Sequence, residues 1–242
     1  DAQRESIVAF ESSLATAQES DNGAGSLNTG GATGGAEAIA SQDFYIGIND
    51  NFGDYQTGAP FDAHVFDLYD SWANNQTAAR RAIQRGQEIF NTRTFTIAGV
   101  AGLNGMTLPH ASGPLPASFT GTCTTCHNAP NAGDHSIAAP LNIGIADESR
   151  RTPDMPLYTL KCTATGQVFK VTDPGRALIS GKCADIGKFK GPILRGLASR
   201  APYFHNGSAA SLEDAIEFYN SRFNIGLTSQ EKSDLAAFLA TL

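Results

Sequence analysis

The chain has 242 residues, with 17 Lys and Arg against 24 Asp and Glu and a formal net charge of −7. Its hydrophobic content of 41% is sufficient for a buried core, and its length predicts one to two domains. The sequence contains no run of about 18 apolar residues, so we expect no membrane span. The excess of acidic residues and the lack of basic clusters argue against nucleic acid as a partner. Four cysteines are too few for a fold built on disulfides.

Two helices of similar sequence are predicted at the two ends of the chain. Residues 3–14 read QRESIVAFESSL and residues 230–242 read QEKSDLAAFLATL, and their apolar positions coincide when Phe10 is aligned with Phe238. Two interpretations stay open: any two amphipathic helices resemble each other, or both segments close the same kind of domain. On the second interpretation, residues 1–16 are the closing helix of an N-terminal domain that is missing or truncated.

Residues 17–75 are predicted to form a linker and an irregular packing segment. The stretch 21–36 holds six glycines and one charged residue, a composition typical of a flexible linker or a surface loop. Residues 43–72 are aromatic but interrupted by Gly, Pro, Asn and Asp, so we expect them to pack aromatic side chains against a domain. We expect Trp72, the only tryptophan, to be one of these packing residues.

A helix is predicted over residues 76–91, followed by a loop insertion over 97–121. One face of this helix collects Ala79, Ala82, Ile83, Gly86, Ile89 and Phe90. Gly86 on that face predicts the close approach of another backbone or of a flat group. The insertion is rich in Gly and Pro, and we expect His110 to be a loop residue there rather than a ligand.

Residues 123–127 read Cys-Thr-Thr-Cys-His, the C-x-x-C-H pattern of covalent haem attachment. Two thiols three residues apart on a helical turn can add to the two vinyl groups of one haem, and the next residue places an imidazole under the iron. Zinc needs further ligands nearby, of which His135 is one candidate, and a redox dithiol needs a βαβ pattern that the sequence does not show. Cys123 and Cys126 are therefore predicted to attach one haem c, with His127 as the proximal ligand.

Haem c also predicts the compartment, because its maturation in bacteria is an export-side process. We therefore expect a periplasmic protein. In that oxidising setting Cys162 and Cys183, 21 residues apart, most simply form a disulfide. The alternative is two buried free thiols.

Capping signals predict two helices in the C-terminal part of the chain. Ser211 precedes an acidic first turn, and Thr228 with Glu231 forms a capping box. The predicted helices cover about 211–222 and 228–241.

From about residue 76 to the end, the chain resembles the C-terminal, electron-transferring haem domain of the di-haem cytochrome c peroxidase / MauG family. Four features match in order: RRAIQRGQEIF, CTTCH, FKGPILRGLASRAPYFHNGSAASLEDAIEFYN and LTSQEKSDLAAFLATL. The resemblance implies an all-α, cytochrome c-like haem domain over residues 76–242, with long Gly- and Pro-rich loops. Family members carry two haem sites and this chain has one C-x-x-C-H, so the peroxidatic haem domain would be the missing N-terminal one.

The sixth iron ligand is predicted from the same resemblance. In the peroxidase branch a Met in the helix after the H-[DN]-G-S motif serves, and in the MauG branch a Tyr takes the equivalent place, with which Tyr219 aligns. A phenolate would lower the reduction potential relative to Met. The alternative is that Phe218 and Tyr219 are core aromatics. Met155, in the turn TPDMP, is the alternative ligand, followed by Met106 and His205.

The resemblance also implies roles around the haem. His205, in the YFHNG motif, is expected at the haem edge or between domains. Arg195, in the P-x-L-R segment, is a candidate partner for a haem propionate because a guanidinium pairs with a carboxylate in a bidentate manner. The family holds a calcium ion between its domains; Arg200 stands where a small polar residue is usual, so calcium is left open. His64 and His135 are expected on the surface or in loops.

The sequence therefore predicts a periplasmic c-type haem protein that transfers electrons as part of a di-haem peroxidase-like or MauG-like oxidoreductase. Its expected partner is a redox protein of the small cytochrome or cupredoxin type, as donor or acceptor. If both axial positions are filled, peroxide chemistry requires the missing N-terminal haem. The alternatives are a stand-alone mono-haem electron carrier and a single-haem enzyme with an open sixth site.

Overall fold

The computed structural model describes residues 2–13, 16–108, 111–131, 133 and 139–242. Within these ranges the α-helices are α1 Ala2–Ser13, α2 Ala36–Ala40, α3 Ala78–Thr92, α4 Ala177–Ser180, α5 Leu212–Phe223 and α6 Ser229–Leu239. Short 3-10 helices cover Asp70–Trp72, Cys123–Thr125, Glu148–Arg150, Cys183–Asp185 and Leu197–Ser199.

Three antiparallel strand pairs accompany the helices. They are β1 Ser20–Asp21 with β2 Gly25–Ser26, β3 Phe95–Ala98 with β4 Ser118–Gly121, and β5 Tyr158–Lys161 with β6 Val168–Val171. The expected all-α fold class is therefore wrong, and the fold is a mixture of helices and small sheets. Strands of two to four residues are too short for a period-two pattern to distinguish them from the surrounding loops.

Helices α3 and α6 form the centre of the fold and lie unusually close together. A Cβ at Gly86 of α3 would overlap the backbone carbonyl of Asp234 in α6. The close backbone approach predicted at Gly86 is thus confirmed. Arg85 fastens the same crossing, because its Nε and Nη2 donate to the buried Asp234 carboxylate at 2.7 and 2.8 Å.

The larger hydrophobic core packs the aromatic segment before α3 against this helix pair. Trp72 is fully buried, as expected, and its Nε1 donates to the Thr29 carbonyl at 2.9 Å. Phe66 packs edge-on against Phe238 of α6, with ring centroids 5.5 Å apart. The glycine-rich stretch 21–36 contributes fully buried Leu27 to this core, which its composition did not indicate.

A second, smaller core lies beside the β3–β4 hairpin. Its buried members are Ile97, Val100, Leu103, Leu108 and Leu141. The expected loop insertion over 97–121 is thus anchored at both ends by a strand and partly buried.

Helices α5 and α6 begin at the predicted caps. The Ser211 hydroxyl accepts from the backbone N–H of Asp214 at 3.1 Å, and the Thr228 hydroxyl accepts from that of Glu231 at 3.2 Å. Both helices predicted from capping signals are confirmed, with ends within about two residues of those expected.

The β5–β6 hairpin is tied to the segment that follows it. Cys162, directly after β5, forms a disulfide with Cys183, and their Cα atoms lie 5.7 Å apart.

Among the helices of the described ranges, none is both long and apolar enough to cross a membrane.

Candidate haem-binding site

The C-x-x-C-H residues form one tight turn after β4. The backbone N–H groups of Cys126 and His127 both donate to the carbonyl of Cys123, at 3.2 and 3.0 Å. This winding directs both cysteines and the histidine to the lining of the same cavity. The turn therefore presents two thiols and an imidazole together, as covalent haem attachment requires.

The cavity has a volume of about 530 Å³ and lies between the two hydrophobic cores. Cys123 packs against the larger core and Cys126 against the smaller one. Its walls are mainly apolar and include Phe90, Ile97, Leu141, Phe204, Phe223 and Leu235. Its size lies within the range of about 300–1,000 Å³ that is usual for cofactor sites.

His127 is oriented by a backbone hydrogen bond. Its Nδ1 lies 2.7 Å from the carbonyl oxygen of Gly133. Because a carbonyl only accepts, Nδ1 carries the proton, and Nε2 keeps the lone pair needed to bind a metal. The imidazole thus has the tautomer that an iron ligand requires.

The two thiols are not poised for redox exchange. Burial raises the pKa of the Cys123 thiol to about 12, with a further contribution from Cys126, and burial raises the pKa of Cys126 to about 12 as well. Disulfide exchange uses the thiolate, which these surroundings disfavour. Both thiols are partly buried and line the apolar cavity beside His127, the arrangement that attachment to the two vinyl groups of a haem requires.

Tyr219 of α5 lines the same cavity as the C-x-x-C-H turn. Burial raises the pKa of its phenol above the ordinary value, and the thiols of Cys126 and Cys123 raise that pKa further. Its ring is set by Phe218 and Phe204, with centroids 5.2 and 6.1 Å away. The structure therefore places Tyr219 with the predicted haem ligands and also within an aromatic cluster.

His205 also lines the cavity. Its ring stacks on Phe189 with centroids 4.0 Å apart, and partial burial lowers its pKa against the opposing effect of Asp173.

Arg195 follows the cavity-lining Leu194 but does not itself line the cavity. Its Nε is buried and has no hydrogen-bond partner among the described residues, and burial lowers the pKa of the guanidinium. A buried donor without an acceptor is unusual, and an anionic group such as a propionate would satisfy it.

Met155 and Met106, the alternative ligands, do not line this cavity, and neither does His64, which was expected on the surface. Met155 is not among the lining residues, and its Sδ lies 3.9 Å from Nδ2 of Asn206. Met106 is exposed and borders a separate, smaller cavity. Nε2 of His64 lies 3.4 Å from the Asp70 carboxylate, outside the cavity. His110 and His135 lie outside the described residues.

Sequence reasoning missed several residues that shape the site. Asn51 donates from Nδ2 to the Thr125 carbonyl at 2.8 Å, and Asn49 donates to the Asn128 carbonyl at 3.1 Å. These bonds hold the segment before α3 against the C-x-x-C-H turn across more than 70 residues of chain. No motif marks these asparagines, and their distance along the chain hides the contact.

Cationic side chains at the cavity were missed as well. Arg93, Lys190 and Arg200 all line it, and Arg93 forms an ion pair with Glu231.

The calcium ion left open by the resemblance is not supported, because the part of the chain that the structure describes holds no cluster of three His, Cys, Asp or Glu suited to a metal ion.

No protein-family model matches the chain. The chain is 34% identical over 136 residues to cytochrome-c peroxidase IdrP2 of Denitromonas iodatirespirans, a match that covers 51% of this chain and 37% of that protein. It is 33% identical over 121 residues to cytochrome c551 peroxidase of Nitrosomonas europaea, covering 50% and 30%. The resemblance to the cytochrome c peroxidases is confirmed. The matched region spans about a third of the length of these cytochrome c peroxidases.

A solved structure gives a weaker likeness. A MauG-like protein associated with microbial copper homeostasis aligns with 76% of this chain and 49% of its own, at 24% identity and a TM-score of 0.43. At that score the likeness carries no argument, so the relation to cytochrome c peroxidases rests on sequence similarity.

Proposed function

We propose that this chain is a c-type haem domain that transfers electrons within a peroxidase-type oxidoreductase. The observation that carries the proposal is a single apolar cavity lined by Cys123, Cys126, His127 and Tyr219. The names of the similar proteins, cytochrome-c peroxidases, support the same class.

The residues of the cavity suit one covalent haem. Cys123 and Cys126 would hold the haem through thioether bonds to its two vinyl groups, each formed by addition of S–H across the double bond. His127, through Nε2, and Tyr219, through its phenolic oxygen, would hold the iron. Arg195 does not line the cavity but follows the lining residue Leu194, and it is the proposed partner for a propionate that would reach its orphaned Nε. When bound, such a haem supplies one-electron chemistry between ferric and ferrous iron.

The remaining residues of the site exclude competing chemistry. The mainly apolar walls would limit the access of water to a bound haem, and the Gly133 carbonyl fixes the proton of His127 on Nδ1. If His127 and Tyr219 both held the iron, no position on it would be open to peroxide. We propose that peroxide reduction occurs at a second haem, in an N-terminal domain for which residues 1–16 would form the closing helix.

The location and partner follow from the same chemistry. Haem c and the Cys162–Cys183 disulfide are both products of an oxidising, export-side compartment, which supports a periplasmic location. The electron donor or acceptor would be a small cytochrome or a cupredoxin.

The test is the visible spectrum of the chain matured with haem c, together with its reaction with hydrogen peroxide. We expect low-spin ferric bands, a sharp α band on reduction, and no rapid reaction with peroxide. High-spin ferric bands with fast peroxide consumption would overturn the electron-transfer role in favour of a single-haem enzyme with an open sixth site.

A further inference from the structure

Residues 150–190, called the basic segment below, differ in charge from the rest of the chain. They carry eight Lys or Arg and three Asp, although the whole chain has a net charge of −7. Four of these cations are exposed and form no ion pair with any described residue: Lys161, Lys170, Arg176 and Lys182. The basic segment therefore presents a net positive charge on an otherwise acidic protein.

One face of the β5–β6 hairpin collects two of these cations around an apolar side chain. Lys161 pairs with Val168 across the strands, and Lys170 pairs with Thr159. Because paired residues and alternate residues share a face, all four side chains lie on one side of the hairpin, and all four are exposed. Val168, 56% exposed, thus lies between two lysines.

The disulfide brings a second apolar and basic group to the same region. Lys161 precedes Cys162 and Lys182 precedes Cys183, whose Cα atoms are 5.7 Å apart. Since neighbouring Cα atoms are about 3.8 Å apart, the Cα atoms of the two lysines lie within about 13 Å of each other. The short helix α4, just before Lys182, exposes Leu178 and Ile179 at 74% and 79%.

This surface is joined to the wall of the candidate haem cavity. The backbone N–H of Arg176 donates to the Lys188 carbonyl at 2.8 Å, and the next residue, Phe189, pairs with Leu141 through two backbone hydrogen bonds of 2.8 Å. Phe189 lines the cavity and stacks on His205. The exposed basic surface and the cavity are therefore connected by one continuous stretch of backbone.

We propose that the exposed face of the basic segment docks a small soluble redox protein whose own contact surface is apolar at the centre and acidic at the rim. The inference rests on the proposed electron-transfer function and adds the docking surface and the charge of the partner. Unpaired cations attract an acidic partner over long range and raise its association rate. Exposed apolar side chains supply the contact centre, and the hairpin and disulfide hold them in place before the partner arrives.

The test uses the matured chain and two reduced cupredoxins, one acidic and one basic. Stopped-flow spectroscopy follows the copper band as Cu(I) is oxidised to Cu(II) and ferric haem is reduced to ferrous. We expect the acidic cupredoxin to react faster than the basic one. In Lys161→Glu/Lys170→Glu its second-order rate constant falls by about tenfold at low ionic strength, and the loss vanishes at high ionic strength.

A matched control separates docking from overall charge. The single variants Lys161→Glu and Arg4→Glu change the net charge by the same amount, and we expect Lys161→Glu to slow the reaction with the acidic cupredoxin, as the double variant does. Arg4 is exposed on α1 without an ion pair among the described residues. At an ionic strength of about 0.1 M, where the Debye length is about 10 Å, we expect Arg4→Glu to keep the rate within about twofold of the unmodified chain, because screening limits the reach of a charge outside the docking surface. Equal losses in both variants, or faster reaction with the basic cupredoxin, would overturn the proposal.

Other occupants give distinct results. The unmodified chain and Lys161→Glu/Lys170→Glu are also compared for binding to phosphatidylglycerol vesicles and for dimer formation in sedimentation. If the variant loses either property while its cupredoxin rate stays unchanged, the surface binds a membrane or a second copy of the chain, and the proposal is overturned. Dithionite separates the two levels of inference. If dithionite reduces every variant equally and the substitutions leave the cupredoxin rates unchanged, the docking proposal is contradicted and the electron-transfer function stands. If neither dithionite nor a cupredoxin reduces the haem, both proposals are contradicted.

Discussion

Gly133 determines how the proximal histidine is held. Its carbonyl accepts from His127 Nδ1 at 2.7 Å, and its φ of +56° lies in the left-handed region that favours glycine. A Cβ at Gly133 would come within 2.7 Å of the Leu194 side chain, which lines the cavity. A larger residue would displace either Leu194 or the carbonyl that orients His127. One glycine outside the C-x-x-C-H pattern thus sets the geometry of the predicted ligand.

Tyr219→Phe tests the sixth ligand, because it removes the phenolic oxygen and keeps the ring. We expect the ferric spectrum to become high-spin, and the reduction potential to rise on the order of 100 mV, since axial ligands set potentials over roughly 0.8 V. Tyr203→Phe is the matched control: Tyr203 lines the same cavity, but its hydroxyl donates to the Leu197 carbonyl at 2.8 Å. Ferric spectra and electron paramagnetic resonance report both. An unchanged Tyr219→Phe spectrum rules the phenol out as ligand.

Residue chemistry and local pattern allowed the main site residues to be predicted from the sequence. The C-x-x-C-H spacing predicts Cys123, Cys126 and His127 as haem-binding residues, and resemblance to a family motif predicts Tyr219; all four line one cavity. Met155 was a weaker candidate because a Met in a Pro-rich turn says nothing about where that turn packs. Tyr219 lines the cavity and Met155 does not, and this difference depends on contacts between residues that are far apart in sequence.

At the scale of elements, capped helices were predictable and short strands were not. The caps of α5 and α6 use side chains three residues from the groups they bond, so the signal is local. β3 pairs with β4 across the insertion, Phe95 opposite Gly121, and no property of either four-residue strand reveals its partner. Likewise, averaging the composition of 21–36 concealed one leucine, Leu27, that tertiary packing buries completely.

Gly86→Ala tests the crossing of α3 and α6. The new methyl group would meet the Asp234 carbonyl and lie 2.7 Å from Cβ of Phe238. Overpacking of this kind costs about 1–3 kcal/mol, which exceeds the helix propensity gained from alanine, about 1 kcal/mol. We expect a lower free energy of unfolding in urea denaturation.

Gly113→Ala is the control for this prediction, because a Cβ there meets nothing within 4 Å. It should change the free energy of unfolding by less than about 0.5 kcal/mol, as surface substitutions usually do. A Gly86→Ala protein as stable as the unmodified chain would contradict the packing of the two helices.

At the scale of the whole molecule, the cavity separates two cores that a cofactor would join. Cys123 packs against the larger core and Cys126 packs against the smaller one. A group bound to both thiols would therefore link them and stabilise the folded state, since anything that binds only this state shifts the folding equilibrium.

The distribution of charge over the surface can also be described only for the whole molecule. The net charge of −7 correctly describes an acidic protein, but it conceals the basic segment at 150–190. Strand register and the disulfide, neither of which composition reveals, bring Lys161, Lys170 and Lys182 to one region.

The most direct test of covalent haem attachment is the intact mass of the chain after co-expression with a haem c maturation system, measured under denaturing conditions. We predict one haem added to the polypeptide. The haem should be lost in Cys123→Ser/Cys126→Ser and retained in Cys162→Ser/Cys183→Ser, which removes the disulfide instead. A polypeptide mass without haem, or haem retained when Cys123 and Cys126 are both replaced, would contradict the account.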